Sequence, residues 1–178
     1  MLTSTDFSGL INQRFFNNFF PLPASNSFPT GILTPGFTLP DITHDHLVRL
    51  ADYRNQKPVI LAFTRIFTAK QYCPLCFPHI KELNERYQEF CDRGAELLLI
   101  TSTDAQQSQI VVQDLGLKMP LLSDPSCQVF RAYETGQALG APLPAQFVLD
   151  AQGHLIYKHL FSFFNPNTAV DHLLQQLD

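Results

Sequence analysis

The stretch from Val59 to Phe90 most constrains what this chain can fold into. An unbroken apolar run, Val59-Ile60-Leu61-Ala62-Phe63, leads through a polar turn into Cys73-Pro74-Leu75-Cys76. Cys76, Ile80, Leu83, Tyr87 and Phe90 then recur at steps of three and four, which predicts a long helix. The first turn of a helix carries unpaired backbone N–H groups and the positive end of the macrodipole. A thiol placed there is stabilised as the thiolate, the nucleophile of redox chemistry. Buried strand, Cys-x-x-Cys, helix: this order predicts a thiol-redox site, with Cys73 attacking and Cys76 resolving. The plainer alternative is two buried cysteines acting as small apolar residues.

Elsewhere strands and helices alternate. Phe37–Ile42 reads as a short strand and Glu96–Thr101 as a second buried one. Asp104 is a good N-cap for a helix with Ile110, Val111 and Leu115 that stops at Gly116. Pro120–Ser123 reads as a short strand running into a helix with Asp124 as N-cap and Pro125 at its first position. A loop is expected over Gly136–Pro142, and a hairpin joins Phe147–Asp150 to Leu155–Tyr157. Asn165-Pro166 opens a last helix with Val170, Leu173, Leu174 and Leu177 on one face. The expected class is α/β, a mixed central sheet flanked by helices on both faces.

Residues 1–36 read as an arm ahead of a single domain over 37–178. Ile11–Phe20 suits a short helix, and Pro21, Pro23, Pro29 and Pro35 then force an extended path over the surface. Phe15, Phe16, Phe19 and Phe20 either pack on their own subunit or cover a partner in a homodimer.

Charge and cysteine content limit the function. A net charge of −4 offers no basic face for nucleic acid or an anionic membrane. No apolar run approaches the roughly 20 residues that cross a bilayer, and the N-terminus lacks a secretory pattern, so a cytoplasmic protein is expected. Four cysteines in 178 residues do not make a disulfide scaffold. In a reducing compartment a close pair is catalytic or metal-binding. Cys73, Cys76 and His79 have a zinc-like spacing but lack a fourth ligand, so no metal and no cofactor is expected. His79 reads as a partly exposed helix residue that tunes the thiols by its charge. Arg65, just past a strand end, and Lys70 are the cations near the pair, each set against the reading of a solvated charge. Cys91 is too far along the predicted helix to reach Cys76, and Cys127, which opens another helix, is a candidate distant resolving thiol.

These segments resemble the thioredoxin-like superfamily, and within it the alkyl hydroperoxide reductase/thiol-specific antioxidant (peroxiredoxin-like) family. The likeness is carried by Phe37-Thr38-Leu39-Pro40-Asp41, by Phe63 to Cys76, by Pro120-Leu121-Leu122-Ser123-Asp124-Pro125 with Tyr133, and by Leu143 to Gly153. The resemblance implies a thioredoxin-like fold, a nucleophilic cysteine at the helix start, and Pro144 as a cis-proline facing it. It also implies an antioxidant oxidoreductase that takes electrons from a thioredoxin-like reductant. The peroxidase Thr and Pro positions hold Lys70 and Ile66 counted from Cys73, or Cys73 and Ala69 counted from Cys76. The family's late arginine is replaced by Leu143-Pro144. In these respects the site looks like the thiol-disulfide oxidoreductase branch, so the expected substrate is a hydroperoxide or a protein disulfide. Two other readings are a redox sensor whose pair switches a binding surface and a zinc-stabilised structural domain.

Overall fold

The structure is a computed structural model that describes residues 9–178, so residues 1–8 of the expected arm lie outside it. The chain begins with α1 (Gln13–Asn17), β1 (Thr38–Asp41), β2 (His46–Arg49) and β3 (Val59–Phe63). A small hairpin of β4 (Ile66–Thr68) and β5 (Gln71–Tyr72) leads into α2 (Phe77–Glu85) and α3 (Tyr87–Asp92). Then come β6 (Glu96–Thr101), α4 (Ala105–Leu115), β7 (Leu121–Ser123) and α5 (Gln128–Ala132). A hairpin of β8 (Gln137–Ala138) and β9 (Ala141–Pro142) precedes one of β10 (Ala145–Leu149) and β11 (Leu155–Leu160), and α6 (Val170–Gln175) follows.

Seven strands form one sheet in the order β11-β10-β3-β6-β7-β1-β2. The central β3, β6 and β7 are parallel and the flanking pairs antiparallel. Every residue of β3 is buried because both faces of the sheet are covered. Ile60, Ala62, Leu97 and Leu99 pack under α2, α3, α4 and α6 through Ile80, Leu83, Phe90, Val111, Leu173 and Leu174. Leu61, Phe63, Leu98 and Ile100 meet Phe130 and Tyr133 near α5, with Phe28 of the arm against the same cluster. Each Val, Leu, Ile or Phe side chain so buried stabilises the fold by about 1.5–3 kcal/mol.

The arm packs on its own chain. Leu22 bridges to Gln137 and Leu33 to His154, and the Tyr133 hydroxyl donates to Pro35 O at 2.9 Å. Arg14 of α1 donates to the carbonyls of Ile66, Phe67 and Ser102. Gly136 is required where the arm crosses: its φ is +81°, and an added Cβ would lie 2.5 Å from Ala24 N. Phe16 and Phe20 remain exposed.

Four local expectations change. The predicted long helix breaks at Arg86, whose φ of −101° and ψ of 10° end α2 before α3 begins. Asp124 caps α5 from three residues before its N-cap Cys127, accepting from Gln128 N and Val129 N, because a turn over 124–127 intervenes. The Gly136–Pro142 loop contains β8 and β9. The last helix starts at Val170, after an irregular Asn165–Thr168 segment that has side-chain partners of its own.

Candidate active site

The polar turn after β3 is a hairpin, and its register builds the site. Ile66 pairs with Tyr72, so the next residue, Cys73, lies opposite Arg65, and Cys73 N donates to Arg65 O at 3.3 Å. The Cys73 carbonyl accepts from Cys76 N and Phe77 N, each at 3.0 Å, which makes Cys-Pro-Leu-Cys a turn feeding α2. Cys76 is the N-cap residue, and Cys73 stands one turn upstream of the helix rather than in its first turn. Both are buried free thiols.

Their proton affinities diverge. The Cys73 thiol is lowered from 9.0 to about 6, chiefly by a hydrogen bond from the Cys76 thiol. Backbone N–H groups of Leu75 and Cys76 and the charge of Arg65 act in the same direction, against burial. Cys76 is pushed up by donating that hydrogen bond, by burial and by the negative charge on Cys73. At neutral pH the arrangement is therefore one thiolate, on Cys73, holding the proton of its neighbour.

Arg65 is 8% exposed, not a solvated charge. Its Nη2 donates to Ala138 O, its guanidinium lies 4.7 Å from the Phe67 ring centroid, and its Nε has no protein partner. Lys70 is exposed. His79 departs from expectation: burial lowers its pKa to about 4, so it is neutral and brings no charge to the thiols. Among the described residues, no group of three His, Cys, Asp or Glu side chains is placed to hold a metal ion.

Pro144 requires a correction. The described residues contain no cis peptide bond, so Pro144 is trans. It stands immediately before β10, where a missing N–H breaks no ladder bond and the ordinary trans isomer suffices. Cys127 packs in the cluster on the opposite face of the sheet from the pair and lines a cleft of about 180 Å³ with Asn18, Arg131 and Gln137.

Two residues at the site went unrecognised. Gln146, fully buried in β10, donates to Asn167 Oδ1 at 2.9 Å, and Asn167 Nδ2 donates to Leu75 O at 3.1 Å. The signal for Gln146 was present: one glutamine inside an otherwise apolar strand, where an unpaired amide is costly. Asn167 had no such signal, because Asn-Pro-Asn reads as an ordinary turn.

Comparison with known proteins bears on the family and the fold. The model of the AhpC/TSA family matches residues 31–158. The chain is 28% identical over 166 residues to chloroplastic peroxiredoxin Q of Triticum aestivum, covering 87% of this chain and 74% of that protein. It is 28% identical over 140 residues to peroxiredoxin tpx1 of Schizosaccharomyces pombe, covering 74% and 69%. In fold it is similar to the crystal structure of peroxidoxin BcpB from Mycobacterium tuberculosis, with a TM-score of 0.70 at 22% identity over 83% of this chain and 95% of that one.

Proposed function

The chain belongs to the AhpC/TSA family, and on that premise we propose that its Cys73–Cys76 pair reduces hydroperoxides by cycling between dithiol and disulfide. The Cys73 thiolate attacks the terminal peroxide oxygen. The O–O bond breaks and the alkoxide leaves, taking a proton from solvent to give an alcohol and Cys73 sulfenic acid. Cys76 then attacks that sulfur, its proton joins the departing hydroxide as water, and the 73–76 disulfide forms. A thioredoxin-like dithiol restores both thiols by exchange, becoming a disulfide itself. The observation that carries this reading is the Cys73–Cys76 turn itself, two buried free thiols held at the start of α2 by the Cys73 carbonyl accepting from Cys76 N and Phe77 N. In that turn the Cys73 pKa is held low and Cys76 keeps its proton. The partnerless Nε of Arg65 supports it as a donor for the peroxide oxygen.

A second reading, exchange with a protein disulfide, is favoured by the surroundings. Leu75 between the cysteines is exposed, as are Phe163 and Phe164 on the segment that Asn167 ties to Leu75. Stopped-flow mixing of the reduced protein with hydrogen peroxide, and separately with an insulin-type disulfide, decides between them. The peroxide reading expects thiol loss with peroxide that Cys73→Ser abolishes. Loss with the disulfide alone transfers the site to exchange chemistry, and wild-type behaviour of Cys73→Ser with both oxidants removes the pair from the mechanism.

A further inference from the structure

Two short hairpins frame the Cys73 site, and neither belongs to the central sheet. β4–β5 and β8–β9 each form a two-stranded sheet of their own, and a lone pair of strands is marginally stable at best unless something packs on it. The first part of the arm fastens both. Leu22 and Gln137 exchange two backbone hydrogen bonds of 2.8 Å, Leu139 N donates to Phe19 O at 3.2 Å, and Gly140 N donates to Asn18 O at 3.0 Å. The Gln137 side chain adds bonds to Asn17 O and Phe20 O. Phe15 of α1 sits against Gly140, where an added Cβ would overlap its ring. The chain from Phe15 to Leu22 is therefore seated on β8–β9.

Arg14, beside Phe15 in α1, serves the other hairpin. Its Nη1 donates to Ile66 O at 3.3 Å and to the Ser102 carbonyl and hydroxyl at 3.0 and 3.1 Å. Its Nη2 donates to Phe67 O. One planar fork thus ties β4 to the residue that follows β6. Phe67 links this clamp to the site, because the Arg65 guanidinium lies over its ring, 4.7 Å from the centroid. Arg65 in turn donates to Ala138 O of β8, and its own carbonyl accepts from Cys73 N at 3.3 Å. The contacts close a circuit: α1 to β4, Arg65 to β8, and β8 back to the arm. We propose that Arg14 is a positioning residue for the thiol site, holding the Ile66 and Phe67 carbonyls so that the β4–β5 hairpin keeps Arg65 in place against Cys73. It acts through Phe67 and Arg65 rather than on the reacting atoms. The inference rests on the dithiol cycle above and concerns its first step, in which the Cys73 sulfur attacks while Arg65 receives the peroxide oxygen. Misplacement by about 1 Å at such a step can slow it about 100-fold.

The test compares two reactions of Cys73, each followed by mass spectrometry, in the reduced full chain of wild type and Arg14→Ala. Both are run at about pH 8, well above the Cys73 pKa of about 6. Oxidation by hydrogen peroxide needs the sulfur and Arg65 in register, whereas alkylation by iodoacetamide needs the thiolate alone. Arg14→Ala is expected to lose about tenfold in the peroxide rate and to stay within about twofold in alkylation. Arg14→Lys keeps the charge without the fork and is expected to fall between the two. A peroxide rate within twofold of wild type in Arg14→Ala overturns the assignment. Where that variant does not fold, the same result in Arg14→Lys overturns it. So does an equal fall in both reactions, which marks Arg14 as a support of the fold rather than of the Arg65–Cys73 arrangement. Wild-type protein whose Cys73 hydrogen peroxide leaves unoxidised overturns the functional reading itself, and that outcome is seen before any variant is made.

Discussion

Cys73 and Cys127 answer to nearly the same description and behave in opposite ways. Each is a buried thiol at a turn that feeds a helix, and each feels a guanidinium, Arg65 for one and Arg14 and Arg131 for the other. Yet Cys73 is lowered to about 6, whereas burial and the Asp124 charge raise Cys127. The difference lies in who receives the local donors. At α5 the Asp124 carboxylate accepts from the backbone of Gln128 and Val129, leaving Cys127 the Asn18 amide at 3.7 Å. No side chain caps α2; the Cys76 thiol is the leading influence that lowers Cys73, with smaller contributions from the Leu75 N–H and from the Cys76 N–H, which also donates to the Cys73 carbonyl. A helix start and a nearby cation do not make a reactive thiol. Donors aimed at the sulfur do.

The largest effect expected from this contrast is in reactivity. A thiol with a pKa near 6 is mostly thiolate at neutral pH, against about three per cent for an ordinary one and less for a raised one. Its lower intrinsic nucleophilicity offsets part of that advantage. Mass-resolved alkylation at neutral pH is expected to label Cys73 at least about tenfold faster than Cys127. Peroxide oxidation is expected to fall more than about 100-fold in Cys73→Ser and to stay within twofold in Cys127→Ser. Faster labelling of Cys127 would break the contrast at its base.

Removing the leading donor comes next. Cys76→Ala takes away the hydrogen bond that contributes most to the Cys73 thiolate, so the Cys73 titration is expected to move up. Its alkylation at pH 6 is expected to fall about tenfold, the scale of a hydrogen bond to a charged group. Stability follows the same linkage. The folded Cys73 pKa, about 6, lies below its unfolded value near 8.5. Its ionisation therefore stabilises the reduced fold fully above that upper value, and the contribution is lost as pH falls towards the lower one. Denaturant melts of reduced wild type and Cys73→Ser are expected to diverge in favour of wild type as pH rises through this window. Parallel curves would place the low pKa in the unfolded chain as well.

Parts of this were legible in the sequence and parts were not. β3, β6, the α4 caps Asp104 and Gly116, and the late hairpin were readable because each has a strong local signal: an apolar run, a cap or a turn. The Cys-x-x-Cys turn stood out by spacing. The β4–β5 hairpin, which sets Cys73 against Arg65, was not readable, since strands of two and three residues carry no period. The break at Arg86 was hidden because Tyr87 and Phe90 carry the apolar rhythm across it, and only backbone angles reveal it. Asp124 was identified as a cap but placed at the wrong distance, because the turn before α5 consumes three residues. Asn167 depends on a contact with Leu75 from 92 positions away, which no local pattern encodes.

A smaller effect tests the Cys127 side of the contrast. Asp124→Ala releases the α5 amides and removes the charge facing Cys127. The Cys127 titration is expected to move down, and the fold to lose about 1–2 kcal/mol of stability in denaturant melts, the usual cost of a lost cap. An unmoved Cys127 titration would show that burial alone sets its value. The Cys73 titration is expected to stay where it is.

The smallest expected effect is at Arg65, and it separates charge from hydrogen bonding. Among the influences that lower Cys73, the Arg65 charge ranks after the Cys76 thiol and the two backbone N–H groups. Arg65→Met keeps a flexible apolar stem against Phe67 and removes the cation, along with the bond to Ala138 O. Alkylation of Cys73 as a function of pH is the proper readout, since peroxide turnover would also register any contact of Arg65 with the substrate. A two- to threefold fall in the alkylation rate at pH 6, with a slight upward move of the titration, is expected for a weak, partly screened interaction. A shift in Arg65→Met as large as that in Cys76→Ala would reverse the ranking. The cation would then distinguish Cys73 from Cys127, and the aimed donors would be secondary.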